Sequence, residues 1–186
     1  MAVAKSTKHP RGKPRLDPRA WIEAGLDVLA REGAAGVRVE PLAKRLGVTK
    51  GSFYWHFADR DALLAACLAA WAEGRIAAIR TQTDATPARI ALPALVDLYM
   101  RAPNPKGLAV ELAIRAMARG HSGAARAVEA VDGERLARVA ALFEELGHAD
   151  ARARALLFYA FLFGQSLLGG KNLTEARRAA ATLVTG

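Results

Sequence analysis

Residues 39–64 read VEPLAKRLGVTKGSFYWHFADRDALL, and this stretch decides how the first third of the chain folds. Apolar residues recur at helical spacing over residues 39–46, which predicts a short helix there. Gly47 follows at the point where the chain has to turn. Thr49 is a residue type that begins helices, so a second short helix is predicted over residues 50–57. Two short helices joined by such a turn make a helix-turn-helix.

The second of these helices has an apolar face and an unusual opposite face. Phe53 and Phe57 are four residues apart and therefore share one side of the helix, which is predicted to point inward. The other side carries Lys50, Gly51, Ser52, Tyr54, Trp55 and His56. Aromatic side chains on a solvent-facing surface indicate a binding partner. An exposed helix that fits the major groove of DNA would explain them. The plainer alternative is a helix with buried aromatics, in which Trp55 packs partly inside.

The polar side chains near this helix match the chemistry of a DNA backbone. The hydroxyl of Thr49 and the N–H groups of the helix N-terminus can donate to a phosphate. Tyr54 and His56 can also donate to phosphate oxygens. Lys50 is expected to contact a base edge or a phosphate, and Arg60, at the start of the next helix, to neutralise a phosphate.

The run GVTKGSFYWHF at residues 47–57, followed by DRDALL at residues 59–64, resembles the signature of the TetR (tetracycline-repressor) family. The resemblance covers residues 18–65, about a quarter of the chain. It implies a dimer whose all-helical C-terminal domain binds a small effector, and an effector that moves the fourth helix and weakens DNA binding. The positions that match the family's DNA contacts are Thr49, Lys50, Gly51, Ser52, Tyr54, His56 and Arg60; the exposure expected for Trp55 adds it to the DNA-binding set.

Two positions depart from the family pattern. Arg38 stands where the family usually has the Thr that caps the second helix. Either Arg38 adds a phosphate contact and the cap is lost, or the helix begins elsewhere. Arg60 replaces the usual Lys, which preserves the charge and changes the geometry of the donors.

The whole chain is predicted to be all-α, because helix formers dominate and β-branched residues are sparse. Three domains or segments are expected: a flexible basic arm (1–16), a helix-turn-helix DNA-binding domain (17–65), and an effector-binding and dimerisation domain built as a helical bundle (66–186). About nine helices are predicted. They cover residues 17–33, 39–46, 50–57, 59–79, 86–100, 107–118, 124–146, 150–169 and 172–184.

The most apolar stretch of the chain, residues 155–170, is the first candidate for a subunit interface. It is shorter than the ~20 apolar residues that a membrane helix needs, so no membrane is expected as a partner. Because it is apolar all round, more than one of its faces should be buried. Core packing alone is one interpretation. The other is a homodimer formed through the helices near 151–169 and 173–184, as the family resemblance implies.

Charge and cysteine content restrict the partners. The formal net charge is +9, of which residues 1–60 carry +6. A basic end suits DNA, and it also suits an anionic membrane surface, which a protein-interaction or membrane-surface module would use. The basic arm is either a solvated tail or a minor-groove contact. Cys67 is the one cysteine of the 186 residues, so a reducing compartment, the cytoplasm, is expected.

Nothing in the sequence indicates an enzyme. There are no paired carboxylates, no metal-ligand cluster and no phosphate-binding glycine loop, so we expect no catalytic residue, no cofactor and no metal. His121 and His148 are expected to be solvated in turns. Glu111 and Arg115, four residues apart, predict an ion pair on a helix surface. Trp71, Tyr99, Met100, Met117, Phe143, Phe158 and Phe161 could line an effector pocket, but each is more often plain core.

The sequence therefore predicts a sequence-specific DNA-binding transcriptional regulator. The expected form is a ligand-responsive repressor that binds a palindromic operator as a dimer and is released by a small-molecule effector. An activator remains the alternative, and neither the effector nor its pocket residues follow from the sequence.

Overall fold

The computed structural model of the protein describes residues 16–101 and 104–165, together with residues 175 and 179. These residues form eight α-helices and no strand, which confirms the all-α prediction. The helices are α1 (Pro18–Gly36), α2 (Val39–Arg45), α3 (Lys50–Tyr54), α4 (Arg60–Thr83), α5 (Ala88–Arg101), α6 (Pro105–Ala118), α7 (Ser122–Glu145) and α8 (Ala151–Gln165). The predicted basic arm (1–16) lies outside the described residues except for its last residue, Leu16. The ninth predicted helix (172–184) also lies outside them except for residues 175 and 179.

The first helix begins and breaks at residues that its sequence marks. The carboxylate of Asp17 accepts a hydrogen bond from the Arg19 N–H at 2.8 Å, which satisfies one of the free donors of the first turn. Gly33 has φ 69° and ψ −172°, outside the helical region. The predicted stop at Gly33 is therefore confirmed as a break, after which the chain makes one more helical turn to Gly36.

Three of the later helices begin with caps that the sequence did not reveal. Asn104 accepts from the Gly107 N–H at 2.8 Å, so α6 starts two residues before the predicted position. His121 is exposed, but its Nδ1 accepts from the Ala124 N–H at 3.1 Å and starts α7. The N-terminus of α5 takes its cap from a distant residue, since the Ala88 N–H donates to Glu145 Oε1 at 3.0 Å.

Buried apolar side chains form two clusters, and α4 contributes to both. The first cluster contains residues of the four helices α1, α2, α3 and α4 and of parts of α6 and α7. Its centre is formed by Trp21, Phe53 and Leu63. The second joins the end of α4 to α5, α7 and α8 and includes Phe143 and Phe158. Helix α4 is long and apolar enough to cross a membrane by length and composition, but here it connects the two clusters. The predicted domain boundary at residue 65 falls inside this helix.

Helices α1 and α4 pack with almost no space between them at Gly25. A Cβ atom at Gly25 would lie 2.7 Å from Cys67 Sγ, so only glycine permits this approach. The Cys67 thiol is buried and donates to the Ile22 carbonyl at 3.6 Å. Burial raises the pKa of Cys67 to about 12, which keeps the group a thiol rather than a reactive thiolate. Cys67 is therefore a small buried residue of the core.

The interior of the C-terminal helices contains charged residues, which corrects the prediction for Glu111 and Arg115. Their ion pair exists at 3.0 Å, but Glu111 is 5% exposed and is not on the surface. Its second partner is Arg135, also 5% exposed, at 2.7 Å. The Tyr159 hydroxyl accepts from both arginines and donates to Asp132. Helical spacing could show that two of these residues are neighbours, but not that α7 and α8 would cover them.

Candidate nucleic-acid interface

Helices α2 and α3 form the predicted helix-turn-helix. Gly47 has φ 67°, a left-handed conformation that glycine adopts without strain, and the Val48 N–H donates to the Ala43 carbonyl at 3.0 Å to close the turn. The second helix is three residues shorter than predicted and ends at Tyr54. The chain has to turn there because Asp59 already caps α4, accepting from the Ala62 N–H at 2.8 Å.

The side chains of α3 divide between core and solvent as predicted. Phe53 is fully buried and meets the Trp21 ring edge-on, with 5.3 Å between the ring centroids. Phe57 is 8% exposed and packs beside Phe53. In contrast, Tyr54 is 54% exposed and Trp55 is 73% exposed. The alternative in which Trp55 packs partly inside is therefore wrong, and two aromatic rings project from this end of the molecule.

The predicted site residues lie on one continuous segment that the structure holds together. The exposed members are Thr49, Lys50, Gly51, Tyr54 and Trp55, and the half-buried members are Ser52, His56 and Arg60. The metal-binding side chains in the described ranges include no group of three or more that could hold a metal ion.

Neither short helix has a capping hydrogen bond from the side chain that precedes it. Thr49 and Arg38 occupy the cap positions of α3 and α2 in extended backbone conformation, but their side chains make no capping bond. For Arg38 this settles the position of the helix, which begins directly after it and lacks the cap. The Thr49 hydroxyl likewise makes no capping hydrogen bond to the helix that it precedes.

Lys50 has an ion-pair partner that the sequence did not indicate. Its ammonium lies 2.7 Å from Glu40 Oε1, on the preceding helix. The hydrogen bond and the opposite charge of Lys50 lower the pKa of Glu40, and the same two effects from Glu40 raise the pKa of Lys50. Because the two residues are ten apart on different helices, only the folded turn brings them together.

Arg60 is held by backbone carbonyls at the end of α1. Its Nε donates to the Val37 carbonyl at 2.7 Å, and a terminal nitrogen donates to the Ala34 carbonyl at 2.5 Å. A third contact joins it to Asp61 at 3.0 Å. A guanidinium has five donors in a fixed fork, so it can tie the start of α4 to the end of α1 in a way that lysine would not. Its predicted phosphate contact stays a prediction.

Comparisons with known proteins agree with this architecture of a helix-turn-helix followed by a helical bundle. The sequence model of the family described as bacterial regulatory proteins, tetR family, matches residues 22–67. The tetracycline repressor protein class A from transposon 1721 of Escherichia coli is 44% identical over 50 residues, which are 27% of this chain and 23% of that protein. The chain is thus matched over about a quarter of the length of this curated relative.

Solved structures extend the similarity over nearly the whole fold. A Pseudomonas aeruginosa PAO1 protein has a TM-score of 0.76 at 26% identity, with 94% of this chain and 91% of that chain covered. A TetR transcription regulator from Haloarcula marismortui has a TM-score of 0.75 at 19% identity, with 90% and 95% covered, and so shares the fold. Over residues 22–67 the chain is thus similar to bacterial regulatory proteins of the tetR family, and its described fold is similar to solved structures of transcriptional regulators.

Proposed function

We propose that the protein is a sequence-specific DNA-binding transcriptional regulator that reads the major groove with α3. The observation that carries this proposal is the division of α3, in which Phe53 is fully buried while Tyr54 and Trp55, directly after it, are more than half exposed. Two adjacent exposed aromatic rings form an apolar patch of the kind that marks an interaction site, and a helix of this size fits a major groove.

The proposed DNA contacts are of two kinds. Tyr54, His56, Thr49 and Arg60 contact phosphates, which positions the protein on the duplex. Lys50 and Trp55 reach base edges, since they stand on the exposed side of α3, and the small residues Gly51 and Ser52 allow the backbone to approach closely. Binding DNA requires Lys50 to turn from Glu40 toward the duplex, because its ammonium is paired with the Glu40 carboxylate, whose negative charge opposes a phosphate.

The proposed active form is a homodimer that uses the helices near 151–169 and 173–184. In α8, Leu156 and Leu157 are 56% and 60% exposed, while Phe158 and Leu162 are buried. A helix with apolar residues on both its inner and its outer side buries the outer side against a second subunit. Two copies related by a two-fold axis would place their α3 helices one DNA turn apart, ~34–36 Å, and so read a palindrome.

The proposed mode of regulation is repression in the cytoplasm, relieved by a small-molecule effector. The matched E. coli relative is named as a repressor, and the helix-turn-helix here continues through α4 into the C-terminal helices. An effector shifts the protein only if it binds the DNA-free arrangement of these helices more tightly than the DNA-binding one. Nearly complete release from DNA requires a difference in affinity of about 10⁴-fold.

DNA binding is tested by fluorescence anisotropy with labelled DNA from the intergenic region upstream of the gene, at ~150 mM salt with excess random duplex. We expect nanomolar binding by the wild type and its loss in the Tyr54→Ala/His56→Ala double variant. Ile90→Ala, which shortens an equally exposed side chain on α5, should bind as the wild type does. If no DNA in a genome-wide pull-down is retained above competitor, the proposal is wrong.

The dimer is tested by analytical ultracentrifugation of two matched variants. Leu157→Lys places a charge on the outer side of α8 and should shift the protein toward monomer. Ile90→Lys places the same charge at a similarly exposed position on α5 and should leave the dimer intact. Equal dimerisation in both variants would remove α8 from the interface.

A further inference from the structure

One carboxylate on α1 contacts cations from three helices. The Oδ2 atom of Asp27 lies 3.3 Å from Arg45 at the end of α2 and 3.7 Å from Arg31, one turn further along α1. The other oxygen, Oδ1, lies 2.7 Å from the ammonium of Lys106, in the first turn of α6. Asp27 therefore joins both helices of the N-terminal domain that it touches to a helix of the C-terminal part.

The oxygen that faces Lys106 depends on this cation. Asp27 Oδ1 is buried, and among the described residues it accepts no hydrogen bond, so its contact with Lys106 is an ion pair without hydrogen-bond geometry. A buried carboxylate oxygen needs a compensating charge to offset its loss of solvation. Lys106 supplies that charge, and the contact is lost if α6 moves away from α1.

The first turn of α6 is also attached to the interior of the C-terminal helices. The carbonyl of Gly107, the residue after Lys106, accepts from Arg75 of α4 at 2.9 Å. The Nε atom of Arg75 lies 3.5 Å from the carboxylate of the buried Glu111. The position of Lys106 is thus set by contacts that extend into the buried polar cluster.

Apolar packing alone does not fix how α1 and α6 lie against each other. Val110 and Ile114 of α6 belong to the same apolar cluster as Ala24 and Val28 of α1. The hydrophobic effect is non-directional, so small shifts along such a contact change its free energy little. An ion pair between two particular atoms depends on their separation and therefore selects one position of α6.

We propose that Asp27 is a positioning residue for DNA binding. Its contacts with Arg45 and Lys106 hold the helix-turn-helix in one orientation relative to α6, and Asp27 acts through these two residues rather than on the DNA. A domain that is already oriented loses less conformational freedom when it binds, so its affinity is higher. The effect on DNA affinity rests on the proposed function, whereas the attachment of α6 to α1 and α2 does not.

The first test compares two variants that each remove one negative charge from α1. Glu23 lies one helical turn before Asp27, is exposed, and has no ion-pair partner among the described residues. Charge alone would make both Asp27→Asn and Glu23→Gln bind DNA more tightly, because a carboxylate repels phosphates. In anisotropy titrations we instead expect Asp27→Asn to bind the operator about three- to fivefold more weakly than the wild type, as the loss of one ion pair allows. Glu23→Gln should bind at least as tightly as the wild type, and equal affinities of the two variants overturn the proposal.

The second test asks whether Lys106 acts through Asp27. Lys106→Met should weaken operator binding, and Lys106→Arg, which keeps the positive charge, should restore most of the affinity. The double variant Asp27→Asn/Lys106→Met should bind like Asp27→Asn alone, because both changes remove the same contact. A double variant that binds more weakly than Asp27→Asn would mean that Lys106 contacts DNA directly, which overturns its assigned role. Circular dichroism checks that every variant is folded.

Hydrogen exchange followed by mass spectrometry tests the attachment without DNA. Asp27→Asn should raise amide exchange in residues 39–45 of α2 and in residues 105–111 of α6, and Glu23→Gln should leave both segments as in the wild type. Unchanged exchange in Asp27→Asn overturns the attachment. Raised exchange with unchanged operator affinity overturns the role in DNA binding. If no operator can be found at all, the proposed function fails, and the exchange result still decides the attachment by itself.

Discussion

The two halves of the molecule differ in one feature of their interiors, the presence of buried charge. The helix-turn-helix domain buries apolar and aromatic side chains, with Trp21, Phe53 and Leu63 fully enclosed, and keeps its charged residues outside. The C-terminal helices also enclose an ion pair, Glu111 with Arg135, each 5% exposed. Four half-buried residues extend this polar cluster: Arg75, Arg115, Asp132 and Tyr159.

The difference shows two ways of holding a fold together. An apolar core is stabilised in proportion to the area that it removes from water, and it depends little on any one partner. A buried ion pair is favourable only while every group keeps its partners, because the loss of solvation has to be offset by close contacts. The N-terminal half is thus stabilised mainly by apolar packing, whereas the C-terminal half combines an apolar cluster with a buried ion pair that needs its partners.

The largest effect is expected from removing the centre of the apolar core. Trp21→Ala should lower the free energy of unfolding by about 5 kcal/mol, because it leaves a large cavity that the neighbouring helices cannot fill. Urea unfolding followed by circular dichroism measures the change. Trp55→Ala, at a ring that is 73% exposed, should change the free energy by less than about 0.5 kcal/mol. Similar losses of unfolding free energy in both variants would contradict the assignment of Trp21 to the core and of Trp55 to the surface.

A somewhat smaller loss is expected in the buried polar cluster. Arg135→Met keeps the length of the side chain but leaves Glu111 short of its closest partner, and should cost about 3 kcal/mol in the same unfolding experiment. Arg80→Met breaks the more exposed pair with Glu134 and should cost much less. If the two arginine variants are equally stable, the C-terminal interior does not depend on its ion pair.

An intermediate effect is expected where α1 and α4 touch. Gly25→Ala places a methyl group 2.7 Å from Cys67 Sγ, so the helices have to separate, at a cost of about 2 kcal/mol. Adding Cys67→Ala should recover part of the loss by removing the sulfur atom, and thermal unfolding of the three variants measures this. A single variant as stable as the wild type would mean that the helices adjust without strain.

A pH dependence is expected from the Glu134 ion pairs. Hydrogen bonds from Arg80 and Arg138 lower the pKa of Glu134 to about 2, below its usual 4.5. The folded state therefore binds this proton less readily than the unfolded state, and the stabilisation is complete above pH 4.5 and is lost as the pH falls to about 2. Unfolding measured from pH 6 to pH 2 should show a smaller decline in Glu134→Gln. An equal decline of the unfolding free energy in Glu134→Gln and in the wild type would contradict this contribution of Glu134.

The smallest effect concerns the outer surface of the helix-turn-helix. Glu40→Gln removes the partner of Lys50 and should tighten operator binding modestly, because the ammonium becomes free to meet DNA. Anisotropy titrations at several salt concentrations measure it. Weaker binding in this variant would show that Glu40 orients Lys50 rather than competing with DNA for it.

Much of this structure could be predicted from local sequence. The starts of α1 and α4 follow from Asp17 and Asp59, whose side chains cap the helices they precede. The spacing of Phe53 and Phe57 indicates which side of α3 is inward. These features involve groups a few residues apart in sequence. Over such short separations, helix geometry alone determines which side chains are neighbours.

The sequence by itself determined that the chain is helical, where its helix-turn-helix lies, and which face of that motif is left outside. Only the tertiary structure decided the burial of Glu111, the ion pair of Lys50 with Glu40, and the close approach of α1 and α4 at Gly25. Each of these depends on residues from different helices, and their approach is set by the packing of the whole domain. A local pattern fixes the neighbours along a helix, whereas the packing of helices determines which charges are paired and which are buried.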